Sequence, residues 1–240
     1  MKRVVSLVPS LTEAVAETLP GALVGATDWC SHPAELDVVR IGGTKNPKVE
    51  RIVELAPDLV VANEEENRAP DLDALRAAGL RVLVTEVRTV PDAFTELARV
   101  LAACGASERP GWLRQAEAVW AALPEPTERR TAVVPVWRRP WMVVGRDTFA
   151  GDVLARLGVH HLYAGHAERY PRIPLEELRA AAPDVVVLPD EPYRFTAEDG
   201  PEAFPGLACA LVSGRHLTWY GPSLARAPRV LGEALRAARR

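Results

Sequence analysis

The stretch VERIVELAPDLVV at residues 49–61 decides the fold class, because it returns in the second half as PLEELRAAAPDVVV at residues 174–187. In each copy a short helical pattern ends at Ala-Pro-Asp and leads into a run rich in β-branched residues. Proline cannot continue a helix and aspartate suits the turn that follows, so the unit has a local physical cause. Two such units in halves of similar length predict duplicated lobes rather than coincidental turns.

Strands and helices alternate on both sides of these units. Residues 4–8 and 23–26 carry strand patterns, and a helical pattern lies between them. Ser10 and Glu13 match a capping box, which predicts a helix with Ser10 as its N-cap. Strands that alternate with helices indicate βαβ crossovers and a mainly parallel sheet. We therefore expect an α/β protein.

A single helical pattern over residues 107–123 separates the two halves of the sequence. The expected architecture is two βαβ lobes with mainly parallel sheets, joined by this long backbone helix, with a ligand cleft between the lobes. The expected boundaries are 1–106 for the N-terminal lobe, 107–126 for the connecting helix and 127–240 for the C-terminal lobe.

The composition excludes several classes of protein. Hydrophobic residues make up 48% and charged residues 25% of the chain, as in ordinary globular proteins. The net charge is −3 and the basic residues are scattered, which argues against nucleic-acid binding. No apolar stretch is long enough for a membrane span, so no membrane insertion is expected.

The N-terminus and the cysteines bear on the compartment. Residues 1–8 indicate a strand rather than a signal peptide, so the sequence as given predicts a cytoplasmic protein, or an extracytoplasmic one if the natural chain is longer. Cys30, Cys104 and Cys209 are odd in number and widely spaced. They do not form a disulfide framework, and they suit a reducing compartment.

Tryptophans mark the expected ligand site. In parallel α/β sheets, ligands bind beyond the carboxyl ends of the strands. Four of the six tryptophans (Trp29, Trp137, Trp141 and Trp219) directly follow predicted strands. Any one of them packs under a loop as readily as it contacts a ligand, but four together favour an aromatic-walled cleft. Backbone N–H groups at residues 10–12, at a helix N-terminus, offer a polar or anionic anchor.

Catalytic and metal chemistry have weaker signals. Cys30 and His32 are candidate metal ligands, but zinc sites need three or four ligands, so a packed cysteine and a solvated histidine are favoured and no metal site is expected. The acidic run at residues 64–66 is more typical of a solvated rim than of an acid/base pair. No nucleophile elbow or P-loop is present. A non-catalytic binding protein is therefore expected, with a corrinoid- or metal-chelate-modifying enzyme on the same fold as the alternative.

Three segments carry a resemblance to a known family. Residues 5–13, 42–52 and 56–60 resemble helical-backbone (class III) periplasmic binding proteins of the cobalamin- and iron-siderophore-binding branch, and the cobalamin-binding members most closely. The resemblance covers nearly the whole chain. It implies binding of a cobalamin-like corrinoid or related metal chelate, as a ligand rather than as a catalytic cofactor. The ligand contacts that it implies are Pro9, Ser10, Leu11, Trp29, Gly43, Asn63, Glu64, Trp137, Trp141, Asp190, Trp219 and Tyr220.

The resemblance also bears on partners. Family members that deliver ligand to an ABC permease present one acidic residue on each lobe. The matching positions here, Ala69 and Leu224 or Ala225, are not acidic, although the acidic run at residues 64–66 lies near the first. The small-molecule ligand is thus the main expected partner, and the missing acids count against a permease. The expected role is that of an ABC-transporter substrate-binding protein or of a cytoplasmic relative of one, which would serve storage, sensing or handover.

Overall fold

The computed structural model describes residues 2–238, and they divide into two compact units. Unit 1 contains residues 2–87, Pro91–Glu117 and Tyr220–Pro222. Unit 2 contains Arg88–Val90, Ala118–Trp219 and residues 223–238. Each unit has its own parallel sheet with flanking helices, so the predicted α/β class is confirmed.

Unit 1 is built on a five-stranded sheet in the order β3-β2-β1-β6-β7, in which every neighbouring pair is parallel. Its core includes Val5, Leu7, Ile52, Val60 and Leu75, and the removal of these side chains from water stabilises the unit. The elements up to residue 121 are β1 (Val4–Ser6), α1 (Pro9–Thr18), β2 (Leu23–Ala26), β3 (Val39–Arg40), β4 (Gly42–Gly43), β5 (Asn46–Pro47), α2 (Val49–Glu54), β6 (Leu59–Asn63), α3 (Ala69–Ala77), β7 (Val82–Thr85), α4 (Val90–Cys104) and α5 (Gly111–Ala121).

Unit 2 is built on a four-stranded parallel sheet in the order β11-β8-β12-β13, and a short antiparallel hairpin, β9–β10, follows β8. Its core includes Val133, Leu178, Val186, Leu188 and Phe204. The elements are β8 (Arg130–Val133), β9 (Pro135–Trp137), β10 (Met142–Val143), α6 (Phe149–Arg156), β11 (Val159–His161), α7 (Leu175–Ala180), β12 (Val185–Pro189), a 3-10 turn (Pro201–Ala203), β13 (Cys209–Val212), α8 (Gly214–Thr218), a second 3-10 turn (Pro222–Ala225) and α9 (Ala227–Ala237).

The repeated Ala-Pro-Asp segment has the same backbone geometry in both units. It joins α2 to β6 in unit 1 and α7 to β12 in unit 2. Ala56 and Ala182 take left-handed conformations, with φ of +42° and +44°. A left-handed residue ends a helix, and the proline after it prevents the helix from resuming. The sequence repeat therefore corresponds to a structural repeat.

The aspartate of each repeat ties down the strand beside it. In unit 1 the Oδ2 of Asp58 accepts a hydrogen bond of 2.7 Å from the backbone N–H of Arg3, one residue before β1. In unit 2 the Oδ2 of Asp184 accepts one of the same length from the backbone N–H of Thr131 at the start of β8. These carboxylates satisfy strand N–H groups at the point where the parallel ladder begins.

The start of α1 differs from the predicted capping box. The helix begins at Pro9, Val8 is its N-cap, and no side chain caps it. Ser10 is therefore inside the first turn rather than at its boundary. Proline is favoured at the first helical position, because its φ is preset and its missing N–H needs no partner there. The residue before a proline favours an extended conformation, and Val8 adopts one. The N-cap is therefore Val8, two residues before the predicted Ser10.

The connecting helix also differs from the sequence expectation. Helix α5 is shorter than residues 107–123, and the division between the units falls inside it, after Glu117. In unit 1, Gly42–Gly43 pairs with Asn46–Pro47 in a small antiparallel hairpin. The C-terminal helix is preceded by a 3-10 turn. Within residues 2–238, no helix combines the length and the apolar character needed to cross a membrane.

Candidate functional site

The carboxyl ends of the unit 1 strands carry a buried polar layer. Asn63 ends β6, and its amide Nδ2 donates to the carbonyl of Thr85 at 3.0 Å. Its Oδ1 accepts the backbone N–H of Glu65 at 2.9 Å, and Asn67 Oδ1 accepts the N–H of Asn63 at 2.9 Å. The hydrogen bonds of the buried Asn63 thus fix the conformation of the loop after β6, in which Glu64 is exposed.

The segment Tyr220–Pro222 reaches this layer from the far end of the sequence. Tyr220 is 5% exposed, and its hydroxyl lies beside the hydroxyls of Ser10 and Thr85. Burial raises the pKa of Tyr220 well above its ordinary value, and the charge of Glu66 adds to this, while hydrogen bonds to Thr85 and Ser10 oppose it. A Cβ on Gly221 would lie 3.0 Å from the Ser10 carbonyl oxygen, so the backbone packs closely here. Tyr220 is an internal residue of unit 1.

The surface of unit 1 at these loops is dominated by Trp29. Its side chain is 68% exposed in the loop after β2. The loop is tied to the β4–β5 hairpin by a hydrogen bond of 2.9 Å from the Asp28 N–H to the Gly42 carbonyl. The indole nitrogen lies 3.4 Å from where a Cβ of Gly43 would be, so glycine at this position leaves room for the ring.

Unit 2 presents a cluster of four aromatic side chains, which we call the aromatic face: Trp137, Trp141, Tyr193 and Phe195. Trp137 is 44% exposed and packs edge-on against Tyr193, with 5.7 Å between ring centroids. Trp141 is half-buried and stacks on Phe195 at 6.1 Å with an interplanar angle of 10°. The inner rings belong to or pack on the unit 2 core, so the exposed indole of Trp137 stands on a rigid base.

Ionic and hydrogen bonds hold the aromatic face together. Arg138, in the hairpin between the two tryptophans, has its guanidinium 5.4 Å from the centroid of the Trp141 ring. The same guanidinium forms ion pairs with Asp199 and, at 2.5 Å, with Glu202. The hydroxyl of Tyr193 donates to the other oxygen of Asp199 at 2.6 Å. The hairpin tip is therefore fixed to the long loop after β12.

Asp190 directly follows strand β12 of unit 2, whereas Trp219 follows helix α8 rather than a strand, contrary to the expectation from the sequence. The exposed Asp190 accepts the N–H of Gly214 at 2.6 Å through Oδ1, whereas Trp219 is only 7% exposed. Burial raises the pKa of Glu191 and the charge of Asp190 adds to this, against a hydrogen bond from Trp219 and the charge of Arg215. Trp219 is thus held within the unit by Glu191 and by Arg215, whose guanidinium lies 5.9 Å from its ring.

The two candidate metal ligands, Cys30 and His32, have hydrogen-bond partners in the structure. The Cys30 thiol is fully buried, 3.0 Å from the Thr12 hydroxyl and 3.1 Å from the Thr27 hydroxyl. Burial raises its pKa, against those hydrogen bonds, which disfavours the thiolate that binds metals. His32 is half-buried with Nδ1 3.2 Å from the Ser31 hydroxyl. Residues 2–238 contain no group of three His, Cys, Asp or Glu side chains that could hold a metal ion.

The predicted contacts therefore fall into two groups. Six are exposed or half-buried: Trp29, Gly43, Glu64, Trp137, Trp141 and Asp190. The other six are buried within their own units: Pro9, Ser10, Leu11, Asn63, Trp219 and Tyr220. The sequence analysis did not identify Arg138 and Tyr193 as residues that hold the aromatic face together, although both lie next to predicted strand ends. No sequence signal pointed to Asp199 or Glu202, because they lie far along an irregular loop.

The sequence and the fold of the chain match a known class of protein. The family model described as periplasmic binding protein matches residues 4–202, and the chain belongs to that family. The family resemblance predicted from the sequence is thus confirmed. Because this is a family of binding proteins, the expectation of a binding protein rather than an enzyme is confirmed as well.

Three individual proteins illustrate what the chain is similar to. A vitamin B12-binding protein of Vibrio parahaemolyticus is 24% identical over 195 residues, covering 78% of this chain and 70% of the relative. An uncharacterized ABC transporter substrate-binding lipoprotein of Bacillus subtilis is 33% identical over 112 residues, covering 45% of this chain and 36% of the relative. The crystal structure of a periplasmic heme-binding protein from Pseudomonas aeruginosa superposes with a TM-score of 0.78 at 23% identity, covering 99% and 94% of the two chains. That last similarity concerns the fold alone.

Proposed function

We propose that the chain binds a cobalamin-like corrinoid and releases it chemically unchanged. The observation that carries this proposal is the exposed indole of Trp137, set on the rigid aromatic face of unit 2. Trp29 gives unit 1 a second exposed indole at the carboxyl ends of its strands. The vitamin B12-binding relative supports the same ligand class.

A corrinoid suits such a surface for physical reasons. It is a broad, rigid macrocycle with apolar faces and an amide-bearing rim, and large aromatic side chains contact such ligands with little loss of side-chain entropy. The corrin ring brings its own nitrogen ligands for cobalt. Binding therefore relies on apolar area and on a few hydrogen bonds from the protein.

The predicted contacts take different roles in this proposal. The exposed and half-buried residues would touch the ligand, and the buried residues would hold the strand-end loops in shape. Ser10 and Tyr220 belong to the second group, since their hydroxyl groups lie together inside unit 1. The proposed contacts are Trp29, Gly43, Glu64, Trp137, Trp141 and Asp190.

We further propose that the protein is the substrate-binding component of an ABC transporter, or a close relative of such a component. The Bacillus subtilis relative supports this role, and the compartment would follow from it. The positions expected to dock on a permease are not acidic, and Leu224 is fully buried. A permease would therefore have to contact other residues, such as the exposed Glu64 in the acidic run at residues 64–66.

The ligand is tested by equilibrium dialysis against cyanocobalamin, dicyanocobinamide, haemin and a ferric hydroxamate siderophore. We expect the two corrinoids to bind and to be recovered with unchanged absorbance spectra. Retention of none of the four would refute the ligand class, and recovery of an altered corrinoid would indicate an enzyme.

The aromatic face is tested with Trp137→Ala. Because the ring is 44% exposed, its removal should leave the fold intact and weaken corrinoid binding about tenfold or more. Trp112→Phe is the matched control, since that indole lies in α5 and donates to Thr18 Oγ1 in unit 1. Equal affinities of the Trp137→Ala variant and the unmodified protein would contradict the role of this ring.

A further inference from the structure

Arg138 is the cation that the aromatic face holds between its two tryptophans. Its side chain is only 15% exposed, although it occupies the tip of a surface hairpin. One guanidinium nitrogen, Nη1, pairs with Asp199 and the other, Nη2, pairs with Glu202. Guanidinium is the protein group best suited to bind a ligand carboxylate in a two-pronged manner. Here both terminal nitrogens are already engaged by acidic side chains of the same unit.

We propose that Arg138, Asp199 and Glu202 make the aromatic face selective for metal chelates with an uncharged, amide-bearing rim over chelates with ionised carboxylates on the rim. This inference rests on the proposed function, because it concerns the rim chemistry of the ligand at the same residues. Arg138 is a positioning residue in it, and the two acids determine specificity.

The charge balance of this trio gives the direction of the selectivity. One cation faces two carboxylates, so this trio by itself carries a net charge of −1 next to the Trp141 ring. A carboxylate on the ligand rim meets this surplus negative charge, and Asp199 and Glu202 compete with it for the guanidinium. An amide meets no such repulsion, and its N–H groups donate to carboxylate oxygens.

The two acids are placed to act on a ligand. The side chains of Asp199 and Glu202 are 42% and 49% exposed, so a ligand at this surface would meet their charges. Both oxygens of each carboxylate accept a hydrogen bond within the unit, which holds the two charges in place. Partial burial alone would raise the pKa of Glu202, but hydrogen bonds from the Gly200 N–H and from Arg138 outweigh it and lower that pKa. Glu202 therefore stays ionised at neutral pH and in moderately acidic solution.

Two corrins that share one macrocycle test the proposal. Dicyanocobinamide has amide side chains, and dicyanocobyrinic acid has carboxylates in their place. The unmodified protein should bind the amide form at least about tenfold more tightly at low ionic strength, because several rim carboxylates are repelled together. The preference should shrink at least about threefold in high salt, since screening weakens repulsion between exposed charges.

Glu202→Gln removes one negative charge and replaces the ion pair with Arg138 Nη2 by at most a neutral hydrogen bond. We expect it to improve binding of the carboxylate corrin about threefold or more, and to change binding of the amide corrin less than about twofold. Glu198→Gln is the matched control, because it removes an exposed charge of the same loop outside the Arg138 trio. The control should alter neither affinity by more than about twofold.

The outcomes separate the two proposals. If the unmodified protein binds neither corrin, the proposed function fails. If it binds both corrins equally in low salt, or if Glu202→Gln and Glu198→Gln give the same affinities, the selectivity mechanism fails while corrinoid binding stands. Should Glu202→Gln not fold, the salt titration of the unmodified protein decides, and a preference independent of salt would overturn the proposal.

Discussion

The thiol of Cys104 sits at the end of α4, 1% exposed, close to the amino group of Lys2. Burial raises its pKa to about 11, against the opposing charge of Lys2. In an unfolded chain a thiol ionises near pH 8.5. The folded protein therefore favours the neutral thiol. The stability gained in this way is fully present below about pH 8.5 and is lost as the pH rises towards 11.

We expect the free energy of unfolding to fall between about pH 8.5 and 11, and Cys104→Ala to remove on the order of 2 kcal/mol of that fall. Urea unfolding at a series of pH values, followed by circular dichroism, measures the effect. Cys209→Ala is the control, because its thiol is only half-buried and its raised pKa should contribute less. Parallel pH curves for Cys104→Ala and the unmodified protein would contradict this account.

At the scale of secondary-structure elements, the repeated Ala-Pro-Asp unit joins a helix to a central strand in each sheet. The aspartate then fixes the strand beside it, as Asp58 does through Arg3 and Asp184 does through Thr131. The Asp184 carboxylate also accepts the Thr131 hydroxyl at 2.7 Å. The Asp184 carboxylate therefore accepts two hydrogen bonds from Thr131, whereas the Asp58 carboxylate accepts one from Arg3.

Asp184→Ala should lower the free energy of unfolding by roughly 1–2 kcal/mol, because it leaves the N–H and the hydroxyl of Thr131 without their carboxylate partner. Asp58→Ala should cost less, since that carboxylate accepts one N–H. Asp73→Ala is the control, as its exposed ion pair with Arg76 contributes little. Urea denaturation of the three variants gives the ranking, and a cost for Asp184→Ala no greater than that of the control would refute it.

The sequence predicted the elements whose signals are local. The two repeats and strands β1 and β2 lie within a few residues of their expected bounds. The predicted start of α1 was wrong, because the backbone preference of Pro9 overrides side-chain capping by Ser10. Strand β13 was missed, since four residues between irregular segments carry too little periodicity to be recognised.

The positions of the candidate site residues along the chain were predictable from the sequence, but their burial was not. Strand ends are visible in a sequence, so Trp29 and Trp137 were found by position alone. The structure places Trp219 and Tyr220 after helix α8 instead of after a strand, and tertiary contacts bury both rings. The ion pairs of Arg138 span more than sixty residues of sequence, a separation that no local pattern encodes.

At the scale of the whole molecule, each unit includes a short piece of chain from the other half of the sequence. Tyr220–Pro222 belongs to unit 1, and Arg88–Val90 belongs to unit 2. Val90 is held there by its backbone N–H, which donates to Asp152 Oδ2 at 2.8 Å. Neither unit is therefore complete in a continuous half of the chain.

We expect this exchange of segments to make the two units unfold together. Leu75→Ala in the unit 1 core and Leu178→Ala in the unit 2 core should each lower stability by about 2–5 kcal/mol. Each should shift one common midpoint, because loss of one unit also releases a segment of the other. Circular dichroism and hydrogen exchange during urea unfolding measure this, and two separate transitions in either variant would contradict it.

The uneven exposure of the tryptophans has a spectroscopic consequence. Trp29 and Trp137 are in contact with water, whereas Trp120 and Trp219 are nearly inaccessible to it. Tryptophan fluorescence should therefore contain a long-wavelength component from the solvent-exposed indoles and a short-wavelength component from the buried ones. Acrylamide and red-edge excitation would select the first component. A single unlabelled sample would then report ligand occupancy at long wavelength and the integrity of the folded core at short wavelength.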